Sequence, residues 1–116
     1  INLKDIYIAW QSYFIHLPRN SKFTLGEKID TFLLDTLEAA CAASFLRSGE
    51  KIPQVSRAIQ KLDMAKLFLQ IAWEVKALQT PHYAELSQKI DEAGKSLGGW
   101  LGQLRKQNSL AQAKEK

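Results

Sequence analysis

Residues 53–78 read PQVSRAIQKLDMAKLFLQIAWEVKAL, and their apolar positions fall on two separate stripes of one α-helix. Val55, Ile59, Leu62, Leu69 and Trp73 share one side, as a 3.6-residue period requires. Met64, Leu67, Phe68, Ile71, Val75 and Leu78 recur mostly at steps of three and four on roughly the opposite side. One stripe is enough to seat a helix in a bundle. The second has two destinations: further helices of the same chain, or another subunit or partner. The second half of this helix is expected to meet another subunit or partner. Lys66 breaks the first stripe, in line with Val55, Ile59 and Trp73, and a charge there needs a water-filled gap or a partner.

Three more helices are read around this one. Leu3, Ile6, Tyr7, Trp10, Tyr13, Phe14 and Leu17 form a stripe that Pro18 ends, so the first helix is expected over about 3–17. Thr24-Leu25-Gly26-Glu27 matches a capping box, and Ser48-Gly49 a stop, which places the second over about 24–47. Its apolar arc is wide, from Leu25 through Ile29, Phe32, Leu33, Leu34, Leu37, Ala40 and Cys41 to Phe45. Pro53 suits the first turn of the third helix, over about 53–78. Thr80-Pro81 opens a fourth over about 81–104, whose stripe is Tyr83, Leu86, Ile90, Ala93, Leu97, Trp100, Leu101 and Leu104. Gly94, Gly98, Gly99 and Gly102 interrupt it, and a close approach by another backbone would justify them. Residues 105–116 are polar and basic and read as a disordered tail. Short connections make the expected fold all-α, an up-down-up-down four-helix bundle over 1–104.

A chain of 116 residues suits one domain, and no apolar run approaches the length needed to span a bilayer. The first residues show no secretory signal pattern, and the one cysteine, Cys41, excludes an internal disulfide. A cytoplasmic protein is expected, with Cys41 packed between helices. Glu-x-x-His pairs, CxxC and HExxH are missing, and no phosphate loop follows a strand, so neither metal nor cofactor is expected. His16 and His82 are far apart in sequence and offer no evident base for Cys41. The residues point to a binding protein, not an enzyme. The net charge of +4 points weakly to an acidic partner.

Three stretches resemble the accessory variability determinant proteins, four-helix bundles encoded beside reverse transcriptases in diversity-generating retroelements. Residues 17–29, LPRNSKFTLGEKI, are similar to the family's LPR-x-x-R/K-FTLG-x-R/K-I. Residues 62–69, LDMAKLFL, match its apolar third helix, and residues 90–101, IDEAGKSLGGWL, its E-x-G-x-x-LGGW ending. The resemblance implies a pentameric barrel that binds the element's reverse transcriptase and template RNA and supports synthesis of mutagenised cDNA. The chemistry would belong to the polymerase. The bundle proteins encoded in intervening sequences of ribosomal RNA genes share the fold. They supply the alternative, a structural oligomer or general nucleic-acid-binding module.

The candidate nucleic-acid or partner contacts are Lys66, Arg57, Lys61, Arg19, Lys22, Lys28, Arg105 and Lys106. Arg57 and Lys61 are four apart on one helical face, and the resemblance, which carries a cation near this place, ranks Lys66 first. Each one singly is a solvated surface charge on the simplest reading; the expectation concerns the set. The candidate subunit or partner interface is Met64, Leu67, Phe68, Ile71, Val75 and Trp100. Neither a membrane nor a small-molecule substrate is expected.

Overall fold

The computed structural model describes residues 3–115, and Ile1, Asn2 and Lys116 lie outside them. Four main helices run in alternating directions: α1 (Leu3–Phe14), α3 (Glu27–Ser44), α4 (Ser48–Glu74) and α5 (Thr80–Glu115). Between α1 and α3 lie a single turn, α2 (Arg19–Ser21), and a π-helical turn over Lys22–Gly26. Among the described residues there is no strand. α4 packs between α3 and α5, while α1 lies against α3 and α5 on the opposite diagonal. The molecule measures 58 × 20 × 19 Å. α5 sets the long dimension, since its 36 residues at about 1.5 Å each span roughly 54 Å.

The buried side of α4 is Val55, Ala58, Leu62, Ala65, Leu69 and Ala72. Large and small residues alternate at steps of three and four, so the leucines fill the space that the alanines leave to neighbouring helices. Ile29 and Leu33 meet this stripe from α3, and Leu86, Ile90 and Leu97 from α5. Trp10 of α1 is fully buried, and its Nε1–H donates to Asp30 Oδ1 at 3.1 Å. The Gln11 amide donates to the same oxygen at 2.9 Å and to the Tyr7 hydroxyl at 2.8 Å. Burial, seconded by the Asp30 carboxylate, raises the Tyr7 pKa. At the other edge of α1, Tyr13 stacks on His82 and its hydroxyl donates to Glu85. Thus α1 is held to α3 by one polar cluster and to α5 by another.

Several helix ends differ from expectation. Thr24 is not an N-cap: the chain is already helical from Arg19, and the Thr24 hydroxyl donates to the Asn20 carbonyl at 3.1 Å. The Glu27 N–H reaches back to the Lys22 carbonyl, closing a π turn where a capping box was expected. Ser48-Gly49 begins α4 instead of ending α3, because Phe45 and Leu46 already close the last turn onto the Ala42 and Ala43 carbonyls. Pro53 therefore lies in the second turn of α4, where its missing N–H costs one backbone hydrogen bond. α4 stops at Glu74, short of Leu78, through a Schellman turn. The Ala77 N–H bonds the Ala72 carbonyl at 2.8 Å and the Lys76 N–H the Trp73 carbonyl at 3.0 Å. Lys76 adopts φ 65°, the place usually taken by glycine. Residues 105–115 are helical, not disordered; nothing after Pro81 breaks the helix, and Leu, Arg, Lys, Gln and Ala all sustain it.

Cys41 is exposed, in contrast to the packing role expected of it, because Ala39 and Ala43 take the inward positions of that turn. The α5 glycines also depart from expectation within the chain. Added Cβ atoms at Gly98, Gly99 or Gly102 would meet nothing within 4 Å, and at Gly94 only Leu62 at 4.0 Å. The close approach occurs at Gly26, where a Cβ would lie 3.0 Å from the Phe14 ring and 3.1 Å from Leu17.

Two stability measurements test these points. Lys76→Gly should raise the unfolding free energy by up to about 1 kcal/mol in denaturant titration, since an L-residue in the left-handed region costs of that order. Gly98→Ala should add about 0.5–1 kcal/mol, whereas Gly26→Val should cost about 1–3 kcal/mol by overpacking Phe14 and Leu17.

Candidate partner-binding surfaces

The apolar residues expected at an interface divide in two. Met64, Leu67 and Val75 are exposed on the outer side of α4, at 39%, 48% and 57%, and Ile71 is half-buried beside them. Phe68 and Trp100 instead pack against the protein's own core. Phe68 stacks on Phe32, ring centroids 5.3 Å apart, and Trp100 lies under the Lys51 ammonium at 5.8 Å. Leu78 of the second stripe is buried, because the Schellman turn folds it back onto the core. The outer half of that stripe is thus what the bundle leaves uncovered.

A second set of exposed apolar groups lies outside the expected interface. Ile8 and Ile15 on α1 and its following turn are 56% and 59% exposed, and Leu34 on α3 is 43% exposed. They lie on the α1–α3 side, across the bundle from the α4 stripe. Each sits at the margin of its helix's apolar arc, where periodicity alone does not separate an inward from an outward side chain.

The candidate cations do not form one patch. Lys66 sits on the α4–α5 seam with its Nζ 2.5 Å from Asp91 Oδ1, both side chains half-exposed. Lys66, for which a water-filled gap or a partner was expected, has both solvent and the Asp91 carboxylate, whose hydrogen bond is the chief cause of the raised Lys66 pKa. Lys61 pairs with Asp35 at 3.6 Å and lies over the Phe32 ring. Lys22 lies over Phe14, and Arg19 and Lys28 are exposed around the same connection. Arg57 is exposed on α4. Arg105 and Lys106 are exposed on α5 at the far end, where antiparallel packing brings the first turn of α4 with Arg47 and Lys51. Arg47, expected as the last residue of the second helix, and Lys51, expected in the connection before Pro53, were not among the expected contacts. The start of α4 at Ser48 brings them to the pole of the bundle.

Grooves accompany these surfaces. One lies between the π turn and α4, lined by Phe23, Phe32 and Phe68 with Lys28, Lys61 and Asp35 at its edges. Another flanks Trp73, whose indole stacks on Tyr83 at 4.7 Å and donates to the Thr80 hydroxyl at 3.0 Å. Among the described residues no His, Cys, Asp and Glu cluster could hold a metal ion, and no helix is long and apolar enough to cross a membrane.

No curated protein and no solved structure matches the chain. The family model described as bAvd-like matches residues 3–104, which takes in α1, α3, α4 and the bundled part of α5. The same span holds the LPRNSKFTLG connection, whose glycine seats Phe14 and Leu17, and the LGGW turn of α5. The chain belongs to the bAvd-like family, the accessory variability determinant kind of four-helix bundle.

Proposed function

We propose that this protein is the non-catalytic accessory subunit of a diversity-generating retroelement. It would act in the cytoplasm as a ring, five copies being the number the family resemblance implies. That ring would bind the element's reverse transcriptase and template RNA and support mutagenic cDNA synthesis. Membership of the bAvd-like family carries the reading. Two features of the surface support it. Exposed apolar side chains occupy opposite flanks of the bundle, Met64, Leu67 and Val75 on α4 and Ile8, Ile15 and Leu34 on the α1–α3 side. Two unlike apolar faces favour a head-to-tail contact, which generates a closed ring when the rotation per subunit is right. The charge of +4 per copy adds with assembly, about +20 for five, and so raises the local field for RNA.

The direct experiment is co-purification of tagged protein with the reverse transcriptase encoded beside it and with its template RNA. Stoichiometric capture of the polymerase is the expected result. An assembly that captures neither would support the alternative, a structural oligomer.

Light scattering gives a sharper check of the contact itself. Leu67→Asp or Ile8→Asp alone should disperse the ring with unchanged helicity, because each destroys one half of every contact. Mixing the two variants should restore a one-to-one pair, since one retains an intact α1–α3 face and the other an intact α4 face. A contact made by the same patch on both subunits would give no such rescue.

A further inference from the structure

The far end of the bundle combines charge with an outward aromatic ring. The α3–α4 connection and first turn of α4, residues 45–52, contain Arg47 and Lys51 against one carboxylate, Glu50. The part of α5 alongside, residues 100–106, adds Arg105 and Lys106 and no acid. The Lys51 ammonium, 5.8 Å from the Trp100 ring, spans the two elements. By contrast, the opposite end mixes Arg19, Lys22, Lys28 and Lys76 with Glu27, Glu74 and Glu85, so its field largely cancels. Phe45 stands at the charged end with 84% of its surface exposed, more than any other large apolar residue described. It is not on a loose tip. Its N–H bonds the Ala42 carbonyl, Leu46 bonds Ala43, and Glu50 and Lys51 both bond the Arg47 carbonyl.

Backbone cations around a fixed, outward aromatic ring are what an unpaired polynucleotide strand requires. Phosphates are neutralised by Lys and Arg, and a base stacks on the ring without regard to sequence. A duplex keeps its base faces stacked and would use only the charges. An interfacial membrane anchor needs a longer apolar face than one phenylalanine with Leu46 half-buried beside it.

We infer that this pole binds single-stranded RNA or DNA, with a base stacked on Phe45 and phosphates held by Arg47, Lys51, Arg105 and Lys106. The inference rests on the nucleic-acid part of the proposed function and assigns it a place and a strand form.

The test measures fluorescence anisotropy of a labelled 20-nucleotide oligouridine strand and of a duplex of equal length, titrated with full-length protein across a salt series. Phe45→Ala should weaken single-strand binding by roughly tenfold or more, with little change for the duplex. Arg47→Gln with Arg105→Gln should lower the salt slope for the single strand by roughly 0.7 per lost phosphate contact. Arg19→Gln with Lys22→Gln, at the opposite end, should change neither. If the wild type binds the strand but Phe45→Ala and the double variant bind equally well, the pole is overturned while the proposed function stands. Should the wild type bind no polynucleotide even at low salt, the nucleic-acid part of that function falls as well. Capture on anionic lipid vesicles abolished by Phe45→Ala, without strand binding, would overturn the inference in favour of a membrane surface. Phe45 is exposed, so unchanged helicity in every variant separates loss of binding from loss of fold.

Discussion

The alternation of large and small residues along the inner side of α4 sets what every other element can do. Val55, Leu62 and Leu69 project into the core, and Ala58, Ala65 and Ala72 leave room for α3 and α5 to come close. Because that one stripe already meets both neighbours, α4 has no further use for apolar residues on its outer side. Met64, Leu67 and Val75 are there nonetheless. Their exposure is a property of the bundle's geometry: a helix seated by two neighbours turns a third of its surface away from the core, whatever that surface carries. The same packing sends Lys66 to the α4–α5 seam, where Asp91 meets it in a setting wet enough that neither charge is stranded.

How much of this was legible in the sequence follows from which physics decides each feature. The four helices and Val55, Leu62 and Leu69 of the α4 core side were legible because period and burial agree over many residues, whereas Trp73, expected on that side, is exposed. The polar need of Lys66 was legible for a similar reason, since a cation in line with valine and isoleucine must find something. Helix ends were not. Thr24 has the chemistry of an N-cap, yet Pro18 and Arg19 start a helical turn upstream that places it inside helical structure. Lys76 ends α4 in the left-handed region, which lysine's own preference argues against and which the Schellman turn that buries Leu78 explains. Pro53 read as a helix start, but it lies in the second turn of α4, where it gives up the hydrogen bond to the Gly49 carbonyl.

The candidate site was legible as a set of residues and not as a place. Arg105 and Lys106 belong with Arg47 and Lys51, whereas Arg19, Lys22 and Lys28 gather at the other end of the bundle. Nothing in the spacing along the chain joins residue 47 to residue 105. The antiparallel register of α4 and α5 does. Likewise, Phe68 and Trp100 had the composition of interface residues, but Phe32 and Lys51, from other helices, take them up.

The brevity of α1 has its own consequence for how the molecule comes apart. Its 12 residues run alongside only part of α3 and α5, and its attachment depends on Trp10, the Asp30 cluster and the Tyr13–His82 stack. The remaining three helices keep most of the continuous apolar core among themselves. Thermal fluctuation therefore has a cheap first step, in which α1 swings off as a leaf while α3, α4 and α5 stay zipped. Amide protons on α1 would exchange through that opening long before those of α4, and the surface it uncovers, centred on Ile29, Leu33 and Leu86, would be the first apolar ground offered to a chaperone or a stray neighbour.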